Sequence, residues 1–216
     1  MFKKLTNRII ITFLSFTAFS VSSGCFSSAG GDEGTAKPPK LEEEIAEKIE
    51  AFFARDHGDT AVQKRENERK EFEKIAKLFD GRKLQLNFPV DNLSGEQTKY
   101  QLLLQDPHFP GPLKYDLLES VSVALSKKDA VRVSNSSSLE ITGRIKLTYR
   151  DRWAKPIVGV KSKQQISVIA WMGDEARRVE LAIDKPVLRI ATVSEDGKQK
   201  TYITIKPLAH CMRGHW

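Results

Sequence analysis

The sequence predicts a mainly β fold: a barrel or sandwich of short antiparallel strands, preceded by an N-terminal helical arm. Three observations predict it. Apolar spacing is helical from Leu41 to Phe79 and changes to strict alternation after Arg82. Seven to nine alternating runs then follow with turn residues between them and no helical stretch among them. The longest run, Leu139 to Tyr149, places Leu139, Ile141, Gly143, Ile145, Leu147 and Tyr149 on one face.

The chain divides into four parts. Residues 1–24 read as an export signal, 25–40 as a linker, 41–80 as the helical arm and 81–216 as the β-rich domain. The signal carries Lys3, Lys4 and Arg8, then an apolar run from Ile9 to Val21, then Ser22, Ser23 and Gly24. A charged start, a short apolar centre and small exit residues form the secretory pattern. The apolar run is short of the ~20 residues that cross a bilayer core. Phe26 to Lys40 contains Gly30, Gly31, Gly34, Pro38 and Pro39, a composition that buries too little surface to offset ordering entropy.

Leu41 to Asp56 has Leu41, Ile45, Ile49, Phe52 and Phe53 at helical spacing, with Glu42, Glu43 and Glu44 in the first turn. His57-Gly58-Asp59 breaks this helix, and His57 is expected in solvent, as is His108 in its Pro-rich loop. Thr60 and Gln63 have capping-box spacing for a second helix. Its first half, Lys64 to Glu71, reads as a solvated charged face, whereas Phe72, Ile75, Ala76 and Phe79 form an apolar one. Gly81 suits the left-handed position past the helix end.

The strands follow. Leu84, Leu86, Phe88 and Val90 alternate, with Pro89 marking an edge or bulge. Asn92 to Gln97 is expected to turn. Tyr100, Leu102 and Leu104 form the next strand, and Leu113 to Leu118 a short irregular turn. Val121, Val123 and Leu125 alternate, and Lys127-Lys128-Asp129 interrupts the chain. Gly143, on an inward face, predicts a bend or a close backbone approach. Later runs are Gln165–Trp171, then Val179, Leu181 and Ile183, a break at Asp184-Lys185-Pro186, and a hairpin of Val187–Val193 with Lys200–Lys206 around Asp196-Gly197.

Two stretches carry resemblances. Ser23-Gly24-Cys25 resembles the lipobox of bacterial lipoproteins, although Ser22 stands where that family usually has Leu and the aliphatic residue is Val21. The resemblance implies that Cys25 carries long acyl chains of the palmitate kind and becomes the first mature residue. The chain would then be held on the non-cytoplasmic side of a bacterial membrane, in the cell envelope or periplasm. The other reading is an ordinary signal cut after Ala29, which discards Cys25. Within the β-rich domain, Gly81-Arg82-Lys83-Leu84, the strand at Tyr100–Leu104 and Leu139-Glu140-Ile141-Thr142-Gly143-Arg144-Ile145 are similar to the strand pattern of small bacterial OB-fold domains. That implies an OB-like barrel.

Charge and cysteines bound the function. The 216-residue chain has 35 Lys and Arg and 28 Asp and Glu. The signal holds three of the cations and no acid, which leaves 32 against 28, a net +4. That is no nucleic-acid footprint. With Cys25 lipidated, Cys211 has no intramolecular partner. His210, Cys211 and His215 are metal-ligand types, but three ligands on an Arg- and Gly-containing chain end make a poor cage, so no metal or cofactor is expected. Basic residues cluster at Lys127 and Lys128, at Arg150, Arg152 and Lys155 beside Trp153, and at Arg177 and Arg178. Such groups on one face suit an anionic glycan, lipid headgroups or an envelope protein. No nucleophile elbow, zinc helix or phosphate loop appears in the sequence. A non-catalytic binding or scaffolding domain is therefore expected, and a hydrolase built from scattered carboxylates and His is the alternative.

Overall fold

The computed structural model describes residues 40–105, 109–111, 114–151, 158–174, 176–194 and 199–208. The signal, Cys25, the linker, His108, Arg152, Trp153, Lys155, the Asp196-Gly197 turn, His210, Cys211 and His215 lie outside these residues. The described chain is mainly β and antiparallel, with helices at its N-terminal side.

Helix α1 spans Leu41–Ala54 and α2 spans Ala61–Phe79. Glu43 accepts the Lys40 amide at the start of α1. Thr60 Oγ1 accepts the Gln63 amide, and its hydroxyl donates to the Gln63 side chain. Gln63 therefore bonds the cap hydroxyl, not the Thr60 amide that a full capping box uses. Gly81 takes φ +83 past the end of α2, where the sequence required left-handed backbone. Ile45, Ile49, Phe52, Phe72, Ile75 and Phe79 are buried between the helices and the sheet.

Nine strands follow among the described residues: β1 Lys83–Glu96, β2 Lys99–Leu104, β3 Lys114–Leu117, β4 Ser120–Ala124, β5 Ser138–Arg150, β6 Gly159–Ser162, β7 Gln165–Asp174, β8 Arg177–Val193 and β9 Lys200–Pro207. A single helical turn, α3 at Lys127–Ala130, stands where the chain was expected to break. Six strands close partly into a ring in the order β5-β1-β2-β4-β9-β8, with β8 returning to β5. The ring is filled by alternate residues such as Leu86, Phe88, Leu102, Val123, Ile141, Ile190 and Ile203. Outside the ring β7 pairs with the first half of β8, and β3 and β6 pair with β7. This extension and the helices share a core, in which Tyr149 packs 5.4 Å from both Phe52 and Phe72 and Trp171 packs 5.7 Å from Phe109.

Several expectations shift. The strands are not all short, because β1, β5 and β8 each serve two parts of the sheet. β1 pairs with β5 through Pro89 and then with β2 from Val90, with a register shift between Val90 and Asn92. Pro89 sits at that crossing, where a missing amide costs no ladder bond. The polar stretch Asn92–Glu96 is strand, not turn, because backbone pairing with β2 carries it to a reversal at Gln97-Thr98. Its exposed side chains hid it from a reading based on burial. Leu113–Leu118, expected as an irregular turn, contains β3, held by pairing with Ile169–Met172 of β7. The break at Asp184–Pro186 is a kink inside one long strand, with Lys185 at φ 48 and its amide bonded to Gln164 O. The bend predicted at Gly143 is its counterpart: a Cβ there would lie 2.4 Å from Ile183 Cγ2 and 2.7 Å from Asp184 O.

His57 is a further correction, being 5% exposed. Its Nε2 lies 2.9 Å from Phe52 O and its Nδ1 3.1 Å from Glu71 Oε2. The break between the helices is a tight corner that folds the ring against Phe52, and Asn67 donates to His57 O. The charged run of α2 also has an inward edge. Glu68 is 2% exposed, accepts from Tyr149 Oη at 2.7 Å and faces Arg177 Nη1 at 2.8 Å.

Candidate anion-binding groove

Strand alternation decides which charges meet. On β1 the inward residues are Leu84, Leu86 and Phe88, so Lys83, Gln85 and Asn87 point outward. On β5, Glu140, Thr142 and Arg144 take the outward positions, and on β8 Val187 and Arg189 do. Register pairs Lys83 with Arg144, Gln85 with Thr142, Thr142 with Val187, and Glu140 with Arg189. The kink at Lys185 and the missing side chain at Gly143 let β8 press into β5 there. The result is a concavity of about 530 Å³ on the outer face of the ring, lined by Lys83, Arg144, Lys185 and Arg189 with Gln85, Thr142, Glu140 and Asp184.

The two acids of this groove are already engaged. Lys200 Nζ lies 2.8 Å from Glu140 Oε1, and Gln165 Nε2 donates to Asp184 Oδ1 at 2.8 Å. The hydrogen bond to Glu140 holds the Lys200 pKa above the ordinary lysine range. Lys200 also lies 5.3 Å from the Tyr202 ring centroid, so an aromatic flanks the groove. Among the described residues, the Arg144 side chain donates only to the Gly81 carbonyl, at 3.5 Å. Lys83, Lys185 and Arg189 are exposed and form no ion pair or side-chain hydrogen bond among the described residues. Like charges directly opposite on adjacent strands are destabilising. Asp184 stands opposite Arg144 on β8 and offsets this pair from one side, so the groove keeps an excess of cations over acids.

The basic residues singled out from sequence go elsewhere. Arg150 and Arg178 meet at Glu180, which is 1% exposed: each Nε lies 3.5 Å from its Oε1, and Lys161 Nζ lies 2.6 Å from its Oε2. Arg178 is itself buried, and its Nε and Nη2 lack a hydrogen-bond partner. Burial pulls its pKa below the ordinary arginine range against the attraction of Glu180. Arg177 points to the other face of the same strand, to Glu68, to Asp174 and over the Phe53 ring. Burial opposes the charge on Arg177, but the bonds from Asp174 and Glu68 prevail and raise its pKa. Adjacent residues of one strand cannot share a face, so Arg177 and Arg178 never form one patch. Lys127 and Lys128 stand exposed on α3 and line neither place.

Sequence reasoning thus missed Lys83, Arg144, Lys185 and Arg189. Strand parity marked three of them as outward, but the strands that carry them lie far apart in the chain. No family model, curated protein or solved structure matches the chain.

Proposed function

We propose that this chain is an exported lipoprotein, anchored through lipid on Cys25 to the non-cytoplasmic side of a bacterial membrane. Its β-rich domain binds or scaffolds an envelope component without catalysis. The observation that carries the reading is the order of the N-terminus: Lys3, Lys4 and Arg8, the apolar Ile9–Val21, small Ser22–Gly24, then Cys25. Several acyl chains on one cysteine anchor firmly, since each buried methylene contributes ~0.8 kcal/mol. The groove on the β-rich domain supports a binding role, because its Lys83, Lys185 and Arg189 have no ion-pair partner among the described residues.

The test is the intact mass of the membrane-extracted protein beside a Cys25→Ser variant. A wild-type mass equal to residues 25–216 plus acyl chains, lost in the variant, is expected. A mature chain beginning at Gly30 without lipid would replace the tether with free secretion.

A further inference from the structure

We infer that the groove across β1, β5 and β8 binds a glycan chain bearing carboxylate or phosphate groups. This rests on the envelope reading above for the source of the chain, whereas the groove's chemistry rests on the structure.

The first argument is charge. Lys83 and Arg144 are direct cross-strand neighbours and Lys185 follows Asp184, which is Arg144's partner on β8. Three cations thus converge at one end on a single acid, Asp184, which also accepts from Gln165, while Glu140 stands at the other end opposite Arg189 and pairs with Lys200. A carboxylate or phosphate between Lys83 and Arg144 turns their repulsion into two charge-assisted contacts. The second argument is conformation. Lys185 keeps a left-handed φ of 48 that a glycine would adopt at less cost. The kink, held by the Lys185 amide on Gln164 O, sets this charged, exposed side chain at the wall of the cavity.

The third argument selects the ligand. Arg189 lies four residues along β8 from Lys185, ~13 Å at strand rise, so the cations form two poles. Between them the floor is Gln85, Thr142 and Val187. An amide and a hydroxyl between two basic poles suit sugar hydroxyls between repeated anionic groups. A bilayer surface is flat and cannot enter a concavity of this kind, so a polymer chain is the better fit than a headgroup array.

The test titrates detergent-solubilised full-length protein with a short oligogalacturonate and with a phosphorylated oligosaccharide. A neutral oligosaccharide of the same length, inorganic phosphate and vesicles containing anionic lipid complete the set. At least one of the two charged chains is expected to bind, with an affinity that falls as salt rises. Lys83→Ala/Arg144→Ala should weaken it at least about tenfold, about 1.4 kcal/mol. Lys48→Ala/Lys74→Ala, which removes the same charge from exposed helix positions, should leave it unchanged. Thermal melts confirm that both variants fold. Equal binding of the neutral chain overturns the inference, as does equal loss in the two variants or no binding at all. Phosphate binding as tightly as the chains would reduce the groove to a single-ion site. Tighter, groove-dependent vesicle binding would make it a membrane contact. The mass of the mature protein reports separately: lipid without glycan binding leaves the tether standing, and glycan binding without lipid leaves the groove standing.

Discussion

Two sets of charges on the same strands behave in opposite ways. Around Glu68, each charge is buried or half-buried and has a partner: Tyr149 donates to one carboxylate oxygen, Arg177 to the other, and Asp174 takes the rest of Arg177. Around Lys83 and Arg144, like charges stand opposite one another in solvent, and the acid beside them, Asp184, faces Arg144 alone. The difference is one of desolvation. A charge under α2 must be neutralised by the protein itself, because removing it from water costs several kcal/mol if left unpaired. A charge in an open groove is hydrated, so its repulsion is small and its partner can come from outside.

Charge substitutions at the two places should therefore differ in size. Glu68→Ala is expected to be the most damaging, at about 3 kcal/mol, because it strands the Tyr149 hydroxyl and part of the Arg177 guanidinium in the helix–sheet interface. Urea unfolding measures this, and a loss under about 1 kcal/mol would show that the network does not hold the helices down. Gly143→Ala comes next, at about 2 kcal/mol, since its Cβ would meet Ile183 and the Asp184 carbonyl. The same change should widen the β5–β8 contact and deform the groove, so unfolding and chain binding should suffer together.

A pH titration separates the two sets without mutation. Burial, and then the hydrogen bond to Glu68, push the Tyr149 pKa well above the usual tyrosine range. Below pH ~10 the phenol is neutral in both folded and unfolded chains, so its contribution is fully present. Above that the unfolded chain ionises first, and stability falls as pH rises towards the folded value. Tyr149→Phe should flatten this alkaline loss while costing about 1 kcal/mol for the missing hydrogen bond. An unchanged alkaline slope would mean that another group governs it. Arg144→Gln is the smallest effect, within a few tenths of a kcal/mol of neutral, because it removes the like-charge pair with Lys83 and the opposite-charge pair with Asp184 together. A loss above about 1 kcal/mol would show that Arg144 serves the fold and would erase the contrast.

Much of the fold was legible because burial imposes periodicity. The apolar faces of α1 and of the second half of α2 were readable, as were the alternation on β1 and β5, the left-handed Gly81 and the close approach at Gly143. What escaped detection had no periodic signal. His57 lies at a helix break that looks solvated, Glu68 sits in a run of charges, and Asn92–Glu96 is a strand whose side chains are exposed except for the half-buried Leu93. Of the site, the outward parity of Lys83, Arg144 and Arg189 was readable, but their meeting was not.

The sequence by itself determined a helical arm and a β-rich domain, since each depends on neighbours within a few residues. Tertiary structure alone decided that six strands close partly into a ring and that β8 kinks at Lys185. It also turned Arg177 and Arg178 to opposite faces of different surroundings and brought Lys83 opposite Arg144. Those outcomes depend on register between strands distant in the chain, and register is set by packing the whole apolar interior at once.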